Sequence, residues 1–138
     1  MILLDTNVIS ELMRPRPEAK VELWLTSQLP EDCFLRAVTE AELRYGIEIL
    51  PPSQRRQQFR LALPSMLEQD FAGRILPFGS AAVVAYATIA ADRRSSGRPI
   101  SQMDAQIAAI ARSSGATLAT RNVHDFQGCG ISIVDPWS

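Results

Sequence analysis

Very short apolar runs alternate along the chain with longer amphipathic stretches. The runs are Ile2-Leu3-Leu4, Cys33-Phe34-Leu35, Ile75-Leu76, Thr117-Leu118-Ala119 and Ile131-Ser132-Ile133-Val134. A brief apolar run read as strand is one buried on both faces, and such strands pair in parallel with helices covering them. Alternation of strands and helices predicts an α/β domain built on a central, mostly parallel sheet of about five strands.

Helical spacing fills the intervals. One helix is expected from about Asn7 to Met13, halted by Arg14-Pro15-Arg16-Pro17, and a second with Pro17 in its first turn, carrying Val21, Trp24 and Leu25. A third opens at Thr39-Glu40-Ala41-Glu42, places Leu43, Ile47 and Leu50 on one stripe and closes at Pro51-Pro52. A charged segment from Ser53 to Phe71 is expected to bend or break at Pro64, with Leu61, Leu63 and Leu67 serving as core or as a docking face. An alanine-rich helix spans Ala81 to Arg94, and a last one opens at Ser101-Gln102-Met103-Asp104 and stops at Gly115.

At 138 residues and 46% hydrophobic, the chain is expected to form a single domain spanning residues 1–138. Two cysteines, Cys33 and Cys129, are too few for a disulfide scaffold. Met1-Ile2-Leu3-Leu4-Asp5 offers no basic leader, and the apolar stretch Ala81–Ala91 falls far short of the ~20 residues of a membrane span. A cytoplasmic protein with reduced thiols and no membrane partner is expected. Thirteen of its fourteen basic residues are arginine, whose planar fork suits phosphate oxygens.

In parallel α/β sheets ligands bind beyond the carboxyl ends of the strands. Asp5 ends the first run, and Thr120 to Asp125 follow the fourth. Asp5 suits a helix N-cap, while Thr39-x-x-Glu42 and Ser101-x-x-Asp104 have the form of capping boxes. Two details argue for more. Asp104 leads the stripe Ile107, Ala108 and Ala111, and Glu42 shares its face with Gly46, a costly residue inside a helix unless something approaches closely there. With Asp125, four acids at element ends would repel one another unless a cation lay between them. All-oxygen ligands favour Mg²⁺ or Mn²⁺, and a pair of such ions about 3.5–4 Å apart can activate water and stabilise the leaving oxygen of a phosphodiester. Removing the four acids from the net charge of −1 leaves the remainder at +3, a body suited to a polyanion.

Other chemistries lack their residues. His124 is the sole histidine, no Gly-x-Ser-x-Gly elbow or Gly-rich phosphate loop occurs, and Cys33, Cys129 and His124 lack the spacing of a zinc site.

Four blocks together resemble the bacterial PIN domain, most closely toxins of the VapC and FitB type from type II toxin–antitoxin modules. They are Leu3-Leu4-Asp5-Thr6-Asn7, Thr39-Glu40-Ala41-Glu42-Leu43-Arg44-Tyr45-Gly46, Asp104-Ala105-Gln106-Ile107-Ala108-Ala109 and Thr120-Arg121-Asn122-Val123-His124-Asp125-Phe126. The resemblance implies a three-layer fold with helices on both faces of the sheet. It implies cleavage of RNA dependent on one or two Mg²⁺ or Mn²⁺ ions, with Asp5, Glu42 and Asp104 as ligands and catalytic acids. The fourth acid varies in the family, and because Asn122 is neutral, Asp125 takes that role here. Thr6, Asn7, Thr120 and Asn122 are expected to orient the carboxylates, and Arg44 and Arg121 to touch RNA or a protein partner, with Arg14, Arg16, Arg36, Arg55 and Arg56 as further candidates to flank the groove. The resemblance further implies a homodimer, silenced by a small DNA-binding antitoxin whose C-terminal segment blocks the site. Two rivals remain at this stage: an idle PIN-fold regulatory subunit, and an RNA-maturation nuclease without a toxin role.

Overall fold

A computed structural model describes residues 1–138. Five strands form one all-parallel sheet: β1 (Ile2–Leu4), β2 (Cys33–Arg36), β3 (Ile75–Leu76), β4 (Thr117–Ala119) and β5 (Ile133–Val134). Their spatial order is β3-β2-β1-β4-β5. Six helices supply the crossovers: α1 (Thr6–Leu12), α2 (Ala19–Thr26), α3 (Ala37–Glu48), α4 (Gln54–Asp70), α5 (Ser80–Ser95) and α6 (Gln102–Ser114).

The period-two alternation of strand side chains divides the interior in two. Leu3 and Leu118 face a core built with Ala82 and Ile89 of α5 and the Ile107–Ala111 stripe of α6. Their neighbours Leu4 and Ala119, with Leu35 from β2, face the opposite core of Val8, Ile9, Val21, Leu43, Ile47, Leu63 and Leu67, contributed by α1 to α4. Three layers result, with both faces of the short strands dry. No helix is long and apolar enough to cross a membrane.

The chain runs outward through β1, β2 and β3, then crosses back through α5 and α6 to place β4 on the other side of β1. The order reverses between β1 and β4, which opens a crevice at their carboxyl ends.

Several local expectations are corrected. Helix α2 begins at Ala19 with Glu18 as its N-cap, so Pro17 lies outside it. Helix α4 continues through Pro64, anchored on both sides of the imino acid by buried Leu63 and Leu67, while Leu61 is exposed. In the last run only Ile133 and Val134 pair with β4. Gly115 does close α6, in the left-handed conformation at φ 68° that an L side chain resists.

Candidate active site

Pairing registers bring the first polar residues together. β1 and β4 align Leu4 with Ala119, so the next residues, Asp5 and Thr120, sit side by side. β1 and β2 align Leu3 with Phe34, and the same offset sets Asp5 opposite Arg36. Thr120, Asp5 and Arg36 therefore form a row across the carboxyl edge of the three central strands, and all three are buried.

Asp5 is the N-cap of α1, as the sequence suggests, and it does more than cap. Its Oδ1 accepts from the Thr6 N–H at 2.8 Å and its Oδ2 accepts from the Thr120 hydroxyl at 2.9 Å. The Thr120 oxygen in turn accepts from the Asn122 N–H at 3.0 Å and from Asn7 Nδ2 at 3.4 Å. These contacts tie α1 and the β4 exit around one carboxylate. Asn7 Oδ1 is buried near this knot without a donor. Thr6 departs from expectation: its backbone touches Asp5, but its hydroxyl donates to Thr39 of α3 at 3.2 Å.

Helix α3 starts at Ala37, directly from β2, so Thr39 lies inside its first turn and Thr39-x-x-Glu42 is not a capping box. Glu42 instead sits in the second turn, where its Oε1 accepts from Arg36 Nη2 at 2.8 Å. The same nitrogen lies 3.8 Å from Asp5 Oδ1, so one guanidinium bridges the two acids. Arg36 is 4% exposed, and its Nε and Nη1 have no partner. Gly46 meets none of this chain's atoms where a Cβ would stand; it lines an open groove of about 180 Å³ with Glu42, Ser10, Met13, Arg14 and Phe59.

Asp104 enters from the other face of the sheet. Its backbone N–H donates to the Ser101 N-cap hydroxyl at 3.1 Å, so this capping interaction is present. Burial pushes the Asp104 carboxyl above the usual carboxylate range, and a hydrogen bond from Ser101 opposes the rise. The negative charges of Asp125 and Asp5 add to it, and Arg36 counters them. Asp104 thus lies within the fields of Asp125, Asp5 and Arg36. Asp125 is exposed on a short 3-10 turn, Val123–Phe126. That turn is clamped by buried Arg93 of α5, whose Nη1 donates to the carbonyls of Asp125 (2.9 Å) and Gln127 (3.1 Å) while its Nε donates to that of Arg98 (2.7 Å).

No three acidic, histidine or cysteine side chains are close enough together to hold an ion as they stand. The donor chemistry nevertheless suits a hard cation: oxygen-only groups, burial and neighbouring negative charge that lift Asp104, and an orphaned amide oxygen at Asn7. The two arginines expected to touch RNA or a partner pair with groups other than these four acids. Arg44 forms an exposed ion pair with Glu40 one turn back at 3.0 Å and lines a different cavity, and Arg121 stacks on the Trp137 ring at 5.3 Å. Arg93 is the residue that sequence reasoning missed as part of this site; Arg36, one of the arginines offered as flanks of a groove, lies instead between two of its acids.

Residues 2–127 match the PIN domain family. The chain belongs to that family. Its relatives extend over the whole length of this PIN domain. It is 41% identical to the VapC ribonuclease Y4jK of Sinorhizobium fredii over 99% of the chain and 98% of that protein. It is 40% identical to Toxin FitB of Neisseria gonorrhoeae over 99% of both. A solved structure of FitAB bound to an IR36 DNA fragment superposes with a TM-score of 0.95 at 38% identity, covering 100% of this chain and 96% of that one. The PIN domain architecture expected from the four sequence blocks is therefore present, with its strand-edge acids on the shared fold.

Proposed function

We propose that this PIN domain is the toxin of a type II toxin–antitoxin pair, an endoribonuclease that hydrolyses RNA phosphodiester bonds with one or two Mg²⁺ or Mn²⁺ ions. The observation that supports the reading is the Arg36 bridge between Asp5 and Glu42 at the carboxyl edge of the strands, with Asp104 in the field of Asp125 and Asp5. The names of full-length relatives, a VapC ribonuclease and a FitB toxin, support it.

Asp5, Glu42 and Asp104 would hold the ion, with Asp125 as the fourth acid. When bound, the cation supplies a water of lowered pKa and positive charge for the leaving oxygen. The chain's own contributions follow from its contacts. Thr120 fixes the rotamer of Asp5 through the Oδ2 hydrogen bond, and the Thr6 N–H at the start of α1 holds its Oδ1. Arg93 holds the turn that presents Asp125. A homodimer in the cytoplasm, silenced by an antitoxin that also binds operator DNA, completes the reading; the superposed FitAB structure, bound to DNA, supports its antitoxin and DNA parts.

One observation favours the second reading, an idle PIN-fold subunit: Glu42 is engaged by Arg36. A single assay separates the two. Purified, antitoxin-free chain is incubated with end-labelled RNA in Mg²⁺, in Mn²⁺ and in EDTA, beside Asp5→Asn. Divalent-dependent cleavage that Asp5→Asn abolishes is expected; equal behaviour of wild type and variant refutes the nuclease reading.

A further inference from the structure

Arg36 occupies the place where a cation between Asp5 and Glu42 would act. Its Nη2 is 2.8 Å from Glu42 Oε1 and 3.8 Å from Asp5 Oδ1, in a pocket that leaves the side chain 4% exposed. As a structural ion pair this is poor. Only one guanidinium nitrogen is engaged, while Nε and Nη1 are buried without acceptors, although the group is suited to paired, bidentate bonding. Glu42, by contrast, is exposed enough to turn, with 37% of its side chain open to solvent. The field of Arg36 also reaches Asp104, the acid on the opposite wall.

We infer that Arg36 is a built-in counter-cation that holds the site closed between Asp5 and Glu42 and competes with the divalent ion for Glu42. The inference rests on the divalent-cation reading above. Its consequence is a raised threshold: loading requires Glu42 to leave Arg36, so the chain binds its metal more weakly than the same four acids would alone.

The test is Mn²⁺ binding, followed by the loss of the free-ion electron paramagnetic resonance signal, on wild type, Arg36→Met, Arg36→Lys and Asp104→Asn. Arg36→Met keeps the unbranched stem and removes the charge; it is expected to tighten Mn²⁺ binding by about tenfold. Arg36→Lys keeps the charge and is expected to stay within about threefold of wild type. Unchanged or weaker binding by Arg36→Met overturns the inference, as does an equal gain by Arg36→Lys, which would assign the effect to packing. Should Arg36→Met fail to fold, the wild type itself reports. Its Arg36 Nε–H nuclear magnetic resonance signal is expected to shift as Mg²⁺ is added, and a signal that stays fixed while the ion binds overturns the inference. Wild-type protein that takes up no Mn²⁺ would refute the divalent-cation reading as well. Uptake that Asp104→Asn abolishes, without a gain from Arg36→Met, refutes competition alone.

Discussion

Replacing Thr120 by valine removes one hydroxyl and leaves the volume of a fully buried side chain nearly unchanged. The bond lost from Thr120 Oγ1 to Asp5 Oδ2, 2.9 Å long, is charge-assisted and worth about 1.5–3 kcal/mol. Two further losses cost little: the acceptor for the Asn122 N–H, which is exposed so that water replaces it, and the long 3.4 Å contact from Asn7 Nδ2. A net destabilisation of about 2 kcal/mol is expected, or roughly 6–10 °C in Tm for a domain of this size. The assay is urea denaturation of metal-free protein, where the midpoint falls with the slope unchanged. Repeating Thr120→Val in an Asp5→Ala background isolates the pair; there the cost is expected to fall below about 1 kcal/mol. RNA cleavage by the single variant is expected to drop about 10–100-fold, since the ligand's orientation is loosened while its charge remains. A cost under about 0.5 kcal/mol in the wild-type background, or an equal cost in both backgrounds, refutes the claim that Thr120 orients Asp5.

Other consequences are checked more simply. The raised folded-state pKa of Asp104 means its proton is held more tightly in the folded chain, so ionisation at neutral pH costs stability and that cost vanishes as pH falls through the folded pKa. Asp104→Asn is therefore expected to raise the metal-free Tm, by only about 1–2 °C because solvent screens a half-exposed group, while abolishing Mn²⁺ uptake; a lower Tm refutes the sign. Arg93→Leu removes three hydrogen bonds from a buried guanidinium to carbonyls and is expected to cost about 3–5 kcal/mol, with faster amide exchange confined first to residues 123–129. Uniform exchange across the chain would contradict the clamp. Gly46→Ala meets no atom of this chain and is expected to stabilise it by about 0.5–1 kcal/mol; destabilisation would show that the helix needs glycine for its own packing.

Strand positions were legible because two-sided burial leaves little but apolar residues in β1, β2 and β4, and the alternation of Leu3 with Leu4 already assigns opposite faces. Asp5 was legible as an N-cap and Ser101-x-x-Asp104 as a capped helix start, and both capping bonds are present. Thr39-x-x-Glu42 misled because β2 passes into α3 with no loop: the local pattern marks a helix start, while the backbone has already turned at Ala37. The pairing of Arg36 with Asp5 and Glu42 was hidden by its position. A charge ending an apolar run looks like a surface residue until strand register places it opposite Asp5. Arg93 at the end of an alanine-rich helix looks solvated, since two of the carbonyls that hold it arrive more than thirty residues later. Both arginines owe their roles to long-range pairing, which local composition does not encode. Pro64 shows the reverse: local propensity predicts a break, and anchoring at Leu63 and Leu67 keeps the helix continuous.

The measurement that bears most directly on the whole account is an anomalous difference map from crystals of the wild-type chain grown with Mn²⁺. The account predicts manganese density at the carboxyl edge of β1, within bonding distance of Asp5 and Asp104, with Glu42 turned away from Arg36 to reach it. Manganese at some other part of the molecule, with the Arg36–Glu42 pair intact and the strand edge empty at saturating Mn²⁺, would contradict it.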